Sequence, residues 1–377
     1  MPLVITLASR NLFHDRLRFA ASIIGIVLSV VLVMVQMGLY NGFGRMLTTM
    51  VDHASTDLWI MSSGSKFFED LSLVDTDLRD RLLTIDGVDR VIPVVAGFSA
   101  WSLPDGAMIP VFVVASDFSD DGLLPWNVVE GNVQSLTTPG TVAIDRAYFD
   151  RLGVSGVGAA TLMRGVPVTV GAVTDGIRSF ATTPYVFTDV GAARSYVGLP
   201  AAFTSDFLVR LKPGASLELV RQKILSSASG IHALTPDEFR EQSRSFWLFG
   251  TGAGAALLGG AVLAFIVGTT IVAQTLYSST KEHLYEFATL RAIGASNGYI
   301  YRVITCQALI SAVVGFALAA LVGAAVVHFT SNSTLQVVIT RYLMIELFIL
   351  TVVMSIISAF AAIFRVLRVD PAVVLTR

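Results

Sequence analysis

Long apolar runs alternate with polar stretches along this chain of 377 residues. The first run, residues 19–40, contains no charged side chain, and three further runs cover 246–277, 301–329 and 342–364. A helix of about 20 apolar residues is long enough to cross the hydrocarbon core of a bilayer. The pattern therefore predicts four transmembrane helices.

The segment between the first two runs, residues 41–245, is more polar and predicts a mixed α/β domain. Short alternating runs predict strands, and Pro104-Asp105-Gly106 predicts a hairpin turn between two of them. We expect two parts: a βαβ-like piece built from both ends of the segment, and a β-rich insertion near residues 123–197.

Composition and charge indicate a membrane protein with a fixed orientation. The chain is 54% hydrophobic and 14% charged, whereas about a quarter of the residues of soluble domains are charged. Residues 1–40 and 245–377 together hold 10 Lys and Arg against 5 Asp and Glu, while 41–244 hold 16 against 23. Because basic flanks stay in the cytoplasm, both termini are expected there, and 41–245 outside. The net charge of −2 gives no reason to expect a nucleic-acid partner.

The shorter segments complete the expected layout. They are an amphipathic interfacial helix at 1–18, a cytoplasmic coupling segment at 278–300, a short outer loop at 330–341 and a cytoplasmic tail at 365–377.

The second apolar run is longer than a bilayer requires. A helix over all of 246–277 would measure about 48 Å, so we expect it to protrude as a stalk toward the outer domain. Its small residues form a face suited to close helix packing, made of Gly250, Gly254, Ala256 and Gly260. The run lacks the Gly-Lys-Ser/Thr ending of a phosphate loop, so any ATP chemistry is expected in a partner.

A few polar or soft side chains inside the spans are candidates for function. Gln36, Met34 and Met37 in the first span face either a cargo or a neighbouring helix, and helix packing is the simpler interpretation. Glu346 in the fourth span is a candidate because intramembrane acids are often functional. No pattern typical of a metal site or of catalytic residues stands out, so the chain is not expected to be an enzyme.

The segment between the second and third runs, EHLYEFATLRAIGAS, is charged and helix-prone. Carboxylates near its start favour a helix N-terminus and apolar residues recur roughly on one face. The candidate coupling residues are Glu282, Leu284, Glu286, Phe287, Leu290, Arg291 and Gly294.

The amino-acid sequence of this segment resembles that of a known family. EFATLRAIGAS resembles the E-x-x-x-L-R-A-I-G-A-S signature of the FtsX/MacB-type permeases of ABC transporters, and RVLRVDPAVVL near the C-terminus resembles their closing motif. The opening RNLFHDRLRF and the later DLWI resemble the DevC group within that family. The resemblance implies an outer domain with a porter-like lobe and a second small β lobe.

The resemblance also implies a function. It implies the permease subunit of an exporter in the bacterial inner membrane, which passes motion mechanically from a DevA/MacB-type ATPase, holding ATP and Mg, to the outer domain. Two copies of the permease would pair. A periplasmic membrane-fusion protein and an outer-membrane channel are the further expected partners, with a lipid, a glycolipid or another amphipathic molecule as cargo.

Two other functions remain open within the same superfamily. One is a signal transmitter like FtsX, which switches on a cell-wall hydrolase. The other is a lipoprotein-release or haem-efflux permease, and Met34 and Met37 are the one hint toward haem. The large two-part outer domain favours export over the first alternative.

Overall fold

The computed structural model describes residues 2–14, 16–70, 73–118, 122–179, 183–282, 296–330 and 337–367. The chain divides into two compact units. The helical unit comprises Met1–Gly42 and Gly254–Arg377, and the α/β unit comprises Phe43–Ala253.

The secondary structure within the described residues combines long helices with short strands. The α-helices are α1 (Pro2–His14), α2 (Arg16–Met46), α3 (Thr49–Asp52), α4 (Leu78–Leu83), α5 (Phe149–Leu152), α6 (Val190–Val197), α7 (Leu217–Ser227), α8 (Pro236–Ser245), α9 (Ala253–Glu282), α10 (Asn297–Thr330) and α11 (Arg341–Leu367). The strands are β1 (Leu58–Ser62), β2 (Val74–Asp75), β3 (Val88–Ser102), β4 (Met108–Ser116), β5 (Val128–Gly131), β6 (Thr141–Asp145), β7 (Ala160–Met163), β8 (Val166–Thr174), β9 (Tyr185–Thr188), β10 (Phe203–Thr204), β11 (Asp206–Leu211) and β12 (Ile231–Leu234).

Four helices in the described parts of the chain are long and apolar enough to cross a membrane. The stretches that qualify are Phe19–Met46, Ala253–Thr275, Gly298–Thr330 and Arg341–Ala361. They coincide with the four predicted runs, and most of their ends agree within about three residues. The first span ends later than predicted, at Met46 rather than 40, and the second begins later, at Ala253 rather than 246. Threonine hydroxyl groups within them bond to the carbonyl four residues earlier, as Thr269 does to Phe265 at 2.7 Å and Thr351 to Leu347 at 2.6 Å, which satisfies these polar groups inside the helix.

The start of the second run differs from the predicted continuous stalk helix. Residues Phe246–Gly250 form a π-helical turn, and α9 begins only at Ala253. Gly252 between them has a φ of +78°, a left-handed conformation that glycine adopts without steric cost. The helix is thus interrupted at Gly252, because glycine is the residue that tolerates such a conformation.

Helices α2 and α9 of the helical unit pack closely against each other. The closest approaches are at glycine positions on one helix or the other. A Cβ on Gly25 would lie 2.5 Å from Cγ2 of Ile271, and a Cβ on Gly268 would collide with Ser29. Position numbers rise along α2 as they fall along α9, so the two helices run antiparallel. The absence of side chains on the glycines is what allows this approach.

Helix α2 also packs closely against α10. A Cβ on Gly315 would lie 2.5 Å from Cγ2 of Ile26, and one on Gly323 would collide with the sulfur of Met34. Here both position numbers rise together, so α2 and α10 run parallel. Successive helices α2, α9 and α10 therefore alternate in direction, as consecutive membrane crossings must.

The N-terminal helix α1 packs on the beginning of α10. Ala8 and Val303 are fully buried there, and Val4, Leu7, Ile300 and Cys306 lie around them. The apolar face of the predicted amphipathic helix is thus covered in part by protein.

The α/β unit is built on one large sheet. Its strand order is β12-β1-β11-β3-β4-β9-β6-β8-β5, with β7 beside β3 and β8. The first four strands pair antiparallel, and the connections β1-α4-β3 and β11-α7-β12 make a split βαβ pattern. This matches the predicted piece formed from both ends of the segment. A separate β-rich lobe near 123–197 stays a prediction.

Alternation along the strands divides the core of this unit between the two sheet faces. On β1, Leu58 and Ile60 point to a core covered by α4 and α7, whereas Trp59 and Met61 point to a core that includes Phe239 of α8. The predicted hairpin is confirmed: β3 and β4 pair from Val94↔Ser116 to Ser102↔Met108, and Gly106 in their turn has a φ of +87°.

The close approach between α9 and α2 leads to a stability prediction. Replacing Gly268→Ala places a methyl group against Ser29, and such overpacking costs about 1–3 kcal/mol. We expect the thermal midpoint of the helical unit to fall. Cys306 of α10 is the chain's one cysteine, so its labelling by a thiol-reactive fluorophore during heating reports this unit.

Gly259→Ala in the same helix is the matched control. Among the described residues, no heavy atom outside its own helix backbone and chain neighbours lies within 4 Å of a Cβ at Gly259, so this midpoint should stay the same or rise slightly. Equal effects of the two variants would contradict the packing account.

Candidate functional site

The predicted coupling segment falls almost entirely outside the described residues. Glu282 is the last residue of α9, and α10 begins at Asn297. The remaining predicted residues, Leu284, Glu286, Phe287, Leu290, Arg291 and Gly294, lie in the undescribed stretch 283–295. Because α9 and α10 run in opposite directions, this stretch joins two helix ends at the end of the bundle where α2 begins.

The predicted packing residues of the second run occupy different environments. Gly260 lies against α2, since a Cβ there would be 2.8 Å from Nε2 of Gln36. Gly254 is buried, whereas Gly250 and Ala256 are exposed. A packing role for these last two would need a partner outside this chain and stays a prediction.

The predicted polar or soft residues of the first span contact neighbouring helices. Met34 is fully buried against Gly323, and Met37 packs on the core of the helical unit. Gln36 lies over Gly260. These contacts fit the simpler packing interpretation, and a cargo role for them stays a prediction. Glu346 is exposed on α11, and its role also stays a prediction.

An ion pair joins two short helices of the α/β unit, α3 and α8. In the chain, α3 follows the first span and α8 precedes the second. Asp52 ends α3, six residues after α2, and its Oδ1 lies 2.6 Å from Nε of Arg240 on α8. Thr48 donates a hydrogen bond of 2.8 Å to the other oxygen of Asp52. Helix α8 itself starts with a capping box, in which Thr235 and Glu238 bond each other's backbone amides. The ion pair thus ties the exit from the first span to the approach to the second.

A small cleft of about 10 Å³, with room for about one water molecule, lies in this part of the α/β unit. Its walls are mainly apolar and come from four separate stretches of the chain. They are Met46, Leu47, Met50, Phe67, Phe68, Glu69, Tyr185 and Trp247. No sequence motif marks this site, because its residues are scattered between positions 46 and 247.

The turn that carries Glu69 is held by its own side chains. The amide of Lys66 donates to Oδ2 of Asp70 at 3.0 Å, and Gln242 of α8 donates to the carbonyl of Ser65 at 2.9 Å. The ring of Phe67 lies 5.0 Å from that of Trp247. The turn is therefore anchored both to itself and to the segment that leads to α9.

The carboxyl group of Glu69 is fixed by two hydroxyl groups. Ser179 donates to Oε1 at 2.8 Å, and the hydroxyl of Tyr185 donates to the same oxygen. Burial raises the pKa of Glu69, although both hydrogen bonds oppose the rise. Burial also raises the pKa of Tyr185 well above its usual value, and the neighbouring Glu69 adds to this rise. The cleft thus presents one oriented acidic group among aromatic and thioether side chains.

A second acid of the α/β unit lies deeper in the sheet. Asp206 at the start of β11 is 4% exposed, and burial raises its pKa to about 8. The charged form of a buried carboxyl is disfavoured because it loses its hydration.

The family follows from comparison with known proteins. The MacB-like periplasmic core domain matches residues 19–227, which is more than half of the chain, and the FtsX-like permease C-terminal domain matches 258–371. The chain therefore belongs to the FtsX/MacB-type permeases of ABC transporters. Permeases of this family are generally membrane components without enzymatic activity that work with an ABC ATPase. With its four apolar helices, this chain is a multi-pass protein of the inner membrane.

The solved structures that resemble part of this chain include the following three. They are the periplasmic region of MacB from Actinobacillus actinomycetemcomitans (TM-score 0.38, 9% identity, 51% of this chain and 94% of that one), the extracellular domain of the noncanonic ABC-type transporter YknZ from Gram-positive bacteria (0.34, 11%, 43% and 90%), and a domain of a putative permease protein from Porphyromonas gingivalis (0.34, 17%, 49% and 91%). No curated protein matched the sequence.

The buried acids predict how stability depends on pH. The pKa of Asp206 is about 8 in the folded chain against its ordinary value of 3.8, so the folded state holds the proton more tightly and loses stability as pH rises from about 4 to about 8. One pKa unit corresponds to about 1.4 kcal/mol. Asp206→Asn should therefore remove much of this loss and make the variant more stable than wild type at pH 9.

Intrinsic tryptophan fluorescence measures the thermal unfolding midpoint of the α/β unit in the full-length protein at each pH. All four tryptophans belong to this unit: Trp59, Trp101, Trp126 and Trp247. Asp80→Asn, at an exposed position on α4, should leave the pH dependence as it is. A wild-type midpoint that does not fall between pH 5 and pH 8 would contradict the burial account.

Proposed function

We propose that this chain is the permease subunit of a DevC-like ABC exporter and transmits ATPase motion to its α/β unit. The observation that carries the proposal is the alternating direction of α2, α9 and α10. The end of α9 and the start of α10 therefore lie at the bundle end where α2 begins, and the family's LRAIGAS sequence, residues 290–296, comes between these two helices in the chain. With both termini in the cytoplasm, that end faces a cytoplasmic ATPase.

The coupling stretch would dock on the ATPase as an amphipathic helix. Leu284, Phe287 and Leu290 seat in a groove of the ATPase, while charged side chains at 282, 286 and 291 make polar contacts. Gly294 ends the helix before α10. Two permease chains pair, and ATP and Mg bound by the two ATPases draw the ATPases together.

Motion then passes along α9 to the α/β unit on the far side of the membrane. The chain path runs through Gly252 and the π-helical turn into α8, which Arg240 ties to Asp52. Displacement of α9 is thereby delivered to both segments that adjoin the spans. A membrane-fusion protein and an outer-membrane channel receive the cargo, which is a lipid, a glycolipid or another amphipathic molecule taken from the outer leaflet or the periplasm.

Charge reversal in the coupling stretch tests the docking. Glu286→Lys should abolish the stimulation of the partner's ATP hydrolysis by the permease, because it places a repelled charge at the interface. The measurement is the hydrolysis rate of the purified complex in nanodiscs, with the tryptophan and Cys306 unfolding midpoints unchanged.

Glu241→Lys is the matched control. It reverses a charge at an exposed position of α8, away from the coupling stretch in the chain, and should keep full stimulation. Full stimulation by the Glu286 variant would show that the docking assignment is wrong.

A further inference from the structure

Two arginines of α8 lie one helical turn apart and have different surroundings. Arg240 lies 2.6 Å from Oδ1 of Asp52 and also pairs with Asp237. Arg244 follows four residues later, on the same face of the helix. Its Nε atom is buried, and within the described part of the chain it has neither a hydrogen-bond partner nor a carboxylate beside it. The arginine nearer the second span therefore lacks the anion that its neighbour has.

The side chain of Arg244 lies beside the end of α2. A Cβ on Gly44 would be 3.9 Å from Nε of Arg244, and part of the surface of Arg244 stays exposed, which leaves a ligand access to it. Arg45 comes next after Gly44 and is exposed. Two cationic side chains thus lie where the chain leaves the first span at Met46 and approaches the second at Ala253.

The stretches that adjoin the spans differ in charge from the rest of the α/β unit. Residues 43–51 and 242–253 contain one arginine each and no acidic residue, whereas the unit as a whole holds 16 Lys and Arg against 23 Asp and Glu. The acids just outside these stretches are Asp52, which pairs with Arg240, and Glu241, which is exposed. Basic residues that flank spans usually lie in the cytoplasm. Positive charge on the side expected to face outside is therefore best explained by an anionic partner.

The same junction exposes a large apolar side chain. Phe249 in the π-helical turn is 61% exposed, and Trp247 is half-buried. The ammonium group of Lys66 lies 5.1 Å from the centre of the Phe246 ring. Aromatic side chains are common at the level of lipid headgroups, where one part of the ring contacts acyl chains and another contacts polar groups. The exposed ring so close to a span favours a lipid as the anionic partner.

We propose that Arg244 and Arg45 bind the phosphate group of an anionic phospholipid in the leaflet next to the α/β unit, with Phe249 beside its acyl chains. Guanidinium groups suit phosphate because they donate paired hydrogen bonds to its oxygens. The lipid supplies to Arg244 the negative charge that Asp52 supplies to Arg240, and it ties α8 and the end of α2 to the bilayer surface. The inference goes beyond the proposed export function and does not depend on it.

Brominated lipids test the proposal on the full-length permease, reconstituted without partners. The bilayers contain phosphatidylcholine with a rising fraction of phosphatidylglycerol, and one of the two lipids carries bromine on its acyl chains. Bromine quenches nearby tryptophans, and comparison with Trp247→Phe isolates the signal of Trp247. Phosphatidylglycerol should bind next to Trp247 at least about fivefold more strongly than phosphatidylcholine, which is the gain that one basic residue near a membrane surface provides. The preference should shrink as salt is added.

Variants of the two arginines show whether the preference comes from the proposed site. Arg244→Gln should lower it about fivefold, while Lys223→Gln, which removes a positive charge at an exposed position of α7, should leave it unchanged. Arg244 has no partner to lose among the described residues, so this variant should keep the tryptophan unfolding midpoint in phosphatidylcholine alone. If the midpoint falls, Arg45→Gln takes its place, with the same expected loss of preference.

Equal binding of the two lipids by the wild type would overturn the proposal, and so would a preference that survives in both arginine variants. A competition experiment separates a lipid from a soluble anion. Inorganic phosphate that replaces chloride at constant ionic strength should leave the preference unchanged, because the lipid is also held by its acyl chains in the bilayer. Loss of the preference in phosphate would assign the arginines to a soluble anion and overturn the lipid assignment. ATP hydrolysis is not measured, so each outcome leaves the export function to its own test.

Discussion

The helical unit depends on how closely α2 approaches its neighbours. Apolar side chains gain nothing by leaving lipid for another apolar surface, so packing contacts must hold membrane helices together. Glycine allows these contacts here: Gly25 and Gly268 at the α2–α9 boundary, and Gly315 and Gly323 at the α2–α10 boundary. The same contacts fix the relative directions of three helices, and hence the end of α9 and the start of α10 lie at the bundle end where α2 begins.

The α/β unit is held together by a different set of contacts. Its sheet covers both faces with apolar side chains, and the residues next to the spans are tied by Asp52 and Arg240. Burial disfavours the charged form of the acidic groups inside this unit. Glu69, one of these groups, lines the small cleft and is not part of the apolar core.

The sequence was sufficient for features that depend on local pattern. Runs of apolar residues predicted the four spans, and Pro104-Asp105-Gly106 predicted the hairpin, because length and turn chemistry are local properties. The pattern failed at 246–252, which was predicted to continue the second span as a stalk helix, whereas the chain forms a π-helical turn at Phe246–Gly250 and a left-handed residue at Gly252. The hydrophobicity of that run is the same in either geometry.

The cleft could not have been predicted in this way. Glu69, Tyr185 and Trp247 are far apart in the chain, and they meet because β9 lies next to β4 and because the Ser65–Asp70 turn is anchored to α8. Only the acid next to two aromatic residues in SKFFED was visible in the sequence, and such a cluster occurs on many surfaces. The coupling residues were identified by the opposite route, from a motif, and their docking stays a prediction.

The most direct test of the account is co-purification of the tagged permease from its native membrane, with mass spectrometry of the bound proteins and lipids. The account predicts that an ABC ATPase is recovered in a near-stoichiometric amount, together with a membrane-fusion protein and an enriched amphiphile. Recovery of a folded permease without any ATPase would contradict it. An ATPase recovered with a cell-wall hydrolase and no fusion protein would instead establish signal transmission.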